Sequence, residues 1–208
     1  NFPKASLRSL LDFWDLDPED SIYIDTGVYL LTTNDINTEA RLNQAGSAQH
    51  PVTVIGSPNG VLWDGSAIKL GPLVRTVLII GAPYMVWENI SVRSGFIEGR
   101  GTNIVLRNWA VNDGAIQLSG AQGVVESFYL TNALLEVVGR EIRAENGYVI
   151  NGSLRLAGSE GYLGNTVVAG EISPLVTLEG TNVLVINNTF VANRTAIRQL
   201  GGDSRSTL

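Results

Sequence analysis

The sequence predicts an all-β solenoid, a right-handed single-stranded parallel β-helix of about eight coils, and three observations support this prediction. Asparagine and glycine recur every nineteen residues through the middle of the chain. Each repeat holds three short β-like pieces separated by glycine or asparagine. The 208 residues are 44% hydrophobic and only 16% charged, which is unlike a disordered chain. Helical repeats usually exceed about thirty residues, so a unit this short favours stacked strands.

The first predicted element is a short amphipathic helix that covers one end of the solenoid. Apolar residues at i, i+3, i+4 and i+7 form one helix face: Leu7, Leu10, Leu11 and Trp14. Ser6 is suited to the N-cap. An open solenoid end exposes strand edges, which promote aggregation. We therefore expect residues 1–20 to form a cap and linker, and residues 21–208 the parallel β-helix.

The repeat itself consists of ladders of equivalent positions. One ladder is polar: Asn89, Asn108, Ser127, Asn146 and Asn165. A second is glycine: Gly101, Gly120, Gly139 and Gly158. Asparagine tolerates the left-handed conformation and its amide can bond to the equivalent amide in the next coil, whereas glycine supplies positive φ. After an insertion at residues 171–174, the period is expected to resume with Gly180 and Asn188.

The last predicted coil begins at residues 195–200 and is followed by a glycine- and serine-rich segment. No capping segment is recognisable there. We expect the β-helix to continue, or to be covered by another element, beyond residue 208.

Composition limits the partners and cofactors. The net charge is −6 with only two lysines, which disfavours nucleic-acid binding. No apolar run reaches the roughly 18–20 residues that cross a bilayer, so membrane insertion is not expected. No cysteine and one histidine disfavour zinc. No cofactor is expected, although calcium could offset repulsion from an anionic polysaccharide.

Three segments resemble the opening of pectate-lyase-like β-helix modules, especially those repeated within very large bacterial surface or secreted proteins. They are Phe2 with Pro3, residues 7–11 and residues 15–31. Residues 187–191 (NNTFV) resemble the ending of a coil in these modules, and Glu19 stands where they usually have glycine. The resemblance implies a β-helix, an extracellular or cell-surface location, and polysaccharide as the partner class.

Enzymes of this fold carry motifs that the chain lacks. Galacturonan hydrolases of this kind have Gly-His-Gly and Arg-Ile-Lys, and pectate lyases have Arg-x-Pro-x-x-Arg; none occurs here. A lyase with a lysine and arginine pair would need a lysine in the middle of the solenoid, and only Lys69 is near. The missing motifs disfavour an enzyme without excluding one.

The best candidate site is a row of outward residues one coil apart: Glu98, Gln117, Glu136 and Arg155, with Arg100 beside Glu98. Such a row could bond sugar hydroxyls or support acid–base chemistry, so Glu98, Glu136 and Arg155 are the catalytic candidates and Arg100 and Gln117 the substrate-binding ones. The alternative is a solvated face on which Glu136 and Arg155 pair. A second row allows the same two interpretations: Glu88, Arg107, Glu126 and Glu145.

The sequence also predicts the positions of the tryptophans, the single histidine and several aspartates. Trp63 is a candidate sugar-stacking platform, whereas Trp87 and Trp109 are expected to pack in the core. His50 is expected to be a loop residue. Aspartates followed closely by glycine are expected to form turns rather than calcium sites: Asp25, Asp64 and Asp113. N-x-[ST] sequons matter only in a glycosylating host and start at Asn89, Asn151, Asn187 and Asn193.

The sequence thus predicts a non-catalytic β-helix module of a large extracellular protein, serving as a rigid spacer or as a glycan-binding, adhesive surface. Its expected partners are polysaccharide and neighbouring modules or other subunits. Two alternatives remain open: a polysaccharide lyase or glycoside hydrolase, and a structural subunit that stacks end to end.

Overall fold

The computed structural model describes residues 7–13, 15–69, 76–200 and 205–206, and these form one short helix followed by stacked parallel strands. The prediction of a right-handed parallel β-helix with a short N-terminal helix is confirmed. Of the two sheets, one has fourteen strands and the other has eight. Because each coil contributes one strand to the smaller sheet, the described residues pass that face eight times.

Helix α1 spans Leu7–Phe13, and two 3-10 turns, Thr33–Asp35 and Leu42–Gln44, lie in the first connections. The strands, in chain order, are β1 Ser21–Ile24, β2 Gly27–Leu30, β3 Thr38–Ala40, β4 Val52–Gly56, β5 Val61–Asp64, β6 Thr76–Ile80, β7 Met85–Arg93, β8 Phe96–Gly99, β9 Ile104–Asn112, β10 Ala115–Ser119, β11 Val124–Thr131, β12 Leu134–Arg140, β13 Arg143–Glu145, β14 Tyr148–Ile150, β15 Ser153–Ser159, β16 Tyr162–Gly164, β17 Val167–Gly170, β18 Val176–Thr181, β19 Leu184–Ile186, β20 Thr189–Ala192, β21 Ile197–Leu200 and β22 Arg205–Ser206.

Each coil visits three faces in turn. The first face contains β1, β4, the first halves of β7, β9 and β11, and then β13, β16, β19 and β22. The second face contains β2, β5, the second halves of β7, β9 and β11, and then β14, β17 and β20. The third face is the eight-stranded sheet of β3, β6, β8, β10, β12, β15, β18 and β21. The long strands β7, β9 and β11 therefore bend around one corner.

The predicted asparagine ladder forms the corner between the first and second faces. All five of its members have left-handed φ angles, between 49° and 60°. Asn108 Nδ2 donates to Asn89 Oδ1 at 3.0 Å, and Asn165 Nδ2 donates to Asn146 Oδ1 at 3.1 Å. Both predicted roles, the tight bend and the bond between coils, are therefore confirmed for asparagine.

Glycine serves the third face in two ways. Gly158 has a φ of 139°, and a Cβ there would lie 1.7 Å from the carbonyl oxygen of Gly139. At Gly120 a Cβ would lie 2.4 Å from the carbonyl oxygen of Gly101. Close approach between coils thus excludes a side chain along this ladder, whereas the predicted positive φ is present at Gly139 and Gly158 and absent at Gly101 and Gly120.

One register prediction was wrong. The structure pairs Gly158 with Gly180 and Gly164 with Ile186, a step of twenty-two residues, so the ladder continues at Asn187 rather than Asn188. The three extra residues of the insertion shift every later position by three. Asn187 has the left-handed φ of 53°. The Asn188 side chain instead joins the last coils, accepting from Thr166 N at 2.8 Å and donating to two carbonyl groups at 2.9 Å.

Helix α1 packs on the first coil as predicted. Leu11 is buried, while Leu7 and Leu10 pack against the same core. The buried side chain of Gln44 donates to the carbonyl oxygen of Leu11 at 2.7 Å, which fixes the end of the helix over the 3-10 turn. Two residues of the proposed helix face and cap, Ser6 and Trp14, lie outside the described residues.

Candidate functional site

The candidate row lies on the third face, one residue per coil. Strand register aligns Glu98 with Gln117, Gln117 with Glu136, and Glu136 with Arg155, on β8, β10, β12 and β15. Their neighbours Ile116 and Leu118 are buried, so alternation directs the row outward. The nineteen-residue step therefore brings the four predicted residues together on one surface.

Side chains in this row bind one another. Gln117 Nε2 donates to Glu136 Oε2 at 3.1 Å, and Arg155 Nη1 donates to Glu136 Oε1. Arg155 also forms a two-pronged contact with Glu179, at 2.6 Å from Nη2 and 3.2 Å from Nε. Arg155 thus bridges the carboxylates of two other coils. Charge-assisted bonds of this geometry are the strong ones.

Hydrogen bonding at this bridge shifts the pKa values of Arg155 and Glu179. The hydrogen bonds to Glu179 and then Glu136 raise the pKa of Arg155 above its usual range. The hydrogen bond from Arg155 lowers the pKa of Glu179. A general base must be available in its deprotonated form and a general acid in its protonated form. The raised pKa keeps Arg155 protonated, which opposes a base role, and the lowered pKa keeps Glu179 deprotonated, which opposes an acid role.

The guanidinium of Arg100 is likewise bound to a carboxylate, that of Glu98. Its Nε and Nη2 donate to the two carboxylate oxygens of Glu98 at 2.7 and 2.9 Å. This hydrogen bonding, reinforced by the charge of Glu98, raises the pKa of Arg100. The two residues form a pair within one coil, separate from the bridge around Arg155.

The second charged row lies on the first face, and it too has an arginine bound to glutamates of two other coils. Arg107 donates to Glu126 in the next coil and to Glu88 in the preceding one. The bond to Glu126 is the main cause of a raised pKa at Arg107. Glu145 pairs instead with Arg143, at 2.8 Å. Arg107 and Arg155 are therefore equivalent bridges on two different faces.

Trp63 is not the exposed stacking platform that the sequence suggested. It is only 5% exposed and packs edge-to-face against Trp87 and Trp109, with ring centroids 6.4 and 6.2 Å away. Its register with Tyr29 and Val92 places it on an inward position of β5. The core positions predicted for Trp87 and Trp109 are confirmed. Trp63 also borders a cavity of about 280 Å³ between α1 and the first coils.

The remaining candidates occupy turns and loops. His50 is exposed and contacts Glu19 through Nδ1. Asp64 is buried and accepts from Ser66 N at 3.0 Å and from Arg93 at 3.2 Å, and the hydrogen bonds from Ser66 are the main cause of its lowered pKa. This is the turn that its neighbouring glycine predicted.

The described ranges contain neither a cluster of metal-binding side chains nor a helix that could span a membrane. In them, no group of three or more histidine, cysteine, aspartate or glutamate side chains is placed to hold a metal ion. The described helix is also too short to cross a bilayer.

Sequence reasoning missed two features. Glu179 escaped notice because the candidate row was not extended across the insertion, although the Gly158–Gly180 step gives its register. Tyr129 and Tyr148 form an exposed pair on the second face, and their separation of nineteen residues, next to inward Leu130 and Val149, was the available signal.

Comparison with known proteins gives no matching family model and no matching curated protein. Among solved structures, a rhamnogalacturonan lyase matches 97% of the chain with a TM-score of 0.57 and 16% identity. A pectate lyase matches 98% with a TM-score of 0.53 and 11% identity. The chain has the pectate-lyase-like parallel β-helix fold. It spans 56% of the rhamnogalacturonan lyase and 73% of the pectate lyase, and at these identities the likeness shows the fold alone.

Proposed function

We propose that the chain is a non-catalytic β-helix module of a larger extracellular or cell-surface protein, which holds long, stiff faces against glycans. Residues 1–20 act as its cap and linker and residues 21–208 as its body. The observation that carries the proposal is the commitment of the charged groups on the third face to each other, centred on Arg155 between Glu136 and Glu179. Groups held in this way brace neighbouring coils and are poorly suited to proton transfer.

The solenoid is suited to a rigid role. Buried residues from Leu11 to Val185 form one continuous apolar cluster, and each coil contacts mainly its neighbours. With strands about 4.8 Å apart, eight passes extend on the order of 40 Å. Solenoids of this kind gain length by adding coils and offer extended binding surfaces. Polysaccharide as the ligand class is supported by the lyases that share the fold.

A turnover assay separates this module from the enzyme alternative. The protein is incubated with polygalacturonate, rhamnogalacturonan and alginate, and products are followed by unsaturated-uronate absorbance and by new reducing ends. We expect no product. Product that disappears in Arg155→Ala and persists in Arg107→Ala, a matched bridging arginine on the first face, would establish a lyase or hydrolase at the third face and overturn the proposal.

A binding assay tests the glycan-contacting role. On a glycan array, Glu136→Gln and Arg155→Ala should each weaken binding to any ligand that contacts the third face. The first variant removes a negative charge and one acceptor oxygen from its centre, and the second removes the guanidinium donors. Arg107→Ala is again the control. Unchanged binding in both third-face variants would remove this face from the binding surface.

A further inference from the structure

Two tyrosines form an exposed pair on the second face. Tyr129 on β11 aligns with Tyr148 on β14, one coil apart. Their ring centroids are 6.1 Å apart with 44° between the planes. The side chains are 53% and 52% exposed, while the alternating neighbours Leu130 and Val149 are fully buried. The pair therefore projects into solvent from a rigid backbone instead of packing into the core.

The outward positions around this pair, from β9 to β20, carry no formal charge, and the ion pair of Arg93 with Asp64 lies on the earlier strands β7 and β5. The outward positions of β9, β11, β14, β17 and β20 are Ala110, Asn112, Tyr129, Thr131, Tyr148, Ile150, Val167, Ala169, Thr189 and Val191. The first and third faces, by contrast, carry the rows centred on Arg107 and Arg155. The second face thus differs in chemistry from the other two over at least five coils.

Amide side chains border the tyrosines on both sides. Asn146, two residues before Tyr148, belongs to the ladder in which it accepts from Asn165 at 3.1 Å. On the opposite corner Asn132 donates to Asp113 at 3.1 Å. Each amide has two donor hydrogens and an acceptor oxygen, so one ladder bond leaves further capacity. An aromatic platform with amides at its margins is complementary to a sugar ring, which has apolar C–H faces and hydroxyl groups at its rim.

Charge selects the class of sugar. The chain has a net charge of −6, which repels uronate polymers, and the second face offers no cation on its strands from β9 to β20 to offset that repulsion. We propose that Tyr129 and Tyr148 form a binding platform for a neutral polysaccharide that lies across the coils of the second face. This rests on the proposed glycan-contacting function and adds the face and the ligand class.

Affinity electrophoresis on native gels tests the platform with four soluble polymers: galactan, β-glucan, mannan and polygalacturonate. The wild type should be retarded by at least one neutral polymer. Tyr129→Ala and Tyr148→Ala should each weaken that interaction by roughly fivefold to tenfold, the range for one aromatic contact. Tyr129→Phe should retain it because the ring remains. Tyr23→Ala, which removes a 75% exposed tyrosine from the first face, is the matched control and should behave as wild type.

Several outcomes would overturn the platform. They are migration of the wild type unaffected by all three neutral polymers, equal retardation of wild type and Tyr129→Ala, and sedimentation showing that the tyrosines join two copies of the chain. Retardation by polygalacturonate alone, lost in Arg155→Ala but kept in Tyr129→Ala, would overturn the platform and leave the module function standing. Absence of binding to every polymer, charged or neutral, would overturn both.

Discussion

At the residue scale, the corners of the coils require a left-handed backbone conformation, and several residue types adopt it. Asparagine was predicted there because its side chain tolerates this conformation. Gln122, Glu141 and Glu160 adopt it too, with φ between 55° and 58°, although residue preference gives no sign of it. The next coil imposes the bend: Gln122 N donates to the carbonyl of Arg140 at 2.7 Å and Glu141 N to that of Ser159 at 2.9 Å. Such tertiary control cannot be predicted from residue type.

Ser127 interrupts the asparagine ladder between Asn108 and Asn146, at a φ of 55°. Ser127→Asn should add amide bonds between coils and raise the free energy of unfolding by about 0.5–1.5 kcal/mol, measured by urea denaturation. Ser127→Gly relieves the strain of the left-handed backbone without adding an amide. It therefore separates the contribution of backbone conformation from that of the amide hydrogen bonds. A Gly variant as stable as the Asn variant would show that the amide bonds contribute nothing.

Trp87 and Trp109 are both fully buried but differ in one hydrogen bond. Trp109 Nε1 donates to the carbonyl oxygen of Trp87 at 2.9 Å, whereas Trp87 Nε1 has no acceptor among the described residues. Trp109→Phe should therefore cost about 1–3 kcal/mol more unfolding free energy than Trp87→Phe, because an unpaired buried donor is itself unfavourable. Equal losses in calorimetry would contradict this assignment.

At the element scale, the repeat predicted most of the strand positions and one insertion broke the extrapolation. The inward ladder that begins at Trp87 is buried throughout the regular coils, as alternation required. The shift at Asn188 arose because periodicity alone does not say how many residues an insertion adds. The exposure of Trp63 was also misjudged, since the longer early coils obscure which positions of β5 face inward.

Helix α1 is the element that covers the first coil. Leu11→Ala should destabilise the protein by about 2–5 kcal/mol, because it truncates a side chain only 3% exposed. It should also promote aggregation by loosening the cover over a strand edge. Leu42→Ala is the control, since Leu42 is 75% exposed and should change stability by less than about 0.5 kcal/mol. Thermal unfolding measures the stability of both variants, and light scattering measures their aggregation. Equal losses of stability in Leu11→Ala and Leu42→Ala would show that α1 does not act as a cap.

At the scale of the whole molecule, three faces share one core and carry different chemistry. Two faces have arginine bridges between glutamates of successive coils, and the second face presents tyrosines and amides. Sequence spacing predicted the charged row, because it needs only the nineteen-residue period. Spacing also offered the ion pair of Glu136 with Arg155 as an alternative, whereas the contact of Arg155 with Glu179 depends on the register across the insertion.

Acid should weaken the bridge between coils at Arg155 and Glu179. The pKa of Glu179 is lowered from its ordinary value of 4.5, chiefly by the hydrogen bond from Arg155, so its stabilising contribution is present above about pH 4.5 and is lost as the pH falls below that value. The melting temperature should decrease less between about pH 5 and about pH 3 in Arg155→Gln than in wild type. Arg194→Gln, which removes an exposed arginine, should follow wild type. The same decrease in melting temperature in wild type and Arg155→Gln would contradict a stabilising ion pair between Arg155 and Glu179.

The most direct test of the central claim is a double-mutant cycle on the third face. If Glu136 and Arg155 are committed to each other as braces between coils, the free energies of unfolding of Glu136→Gln, Arg155→Gln and the double variant should reveal a stabilising coupling of about 0.5–1 kcal/mol. The first-face cycle of Glu126→Gln with Arg107→Gln should give a similar value. A third-face coupling indistinguishable from zero, with the first-face coupling intact, would mean that the third-face charges are free for another task and would contradict the structural interpretation of this row.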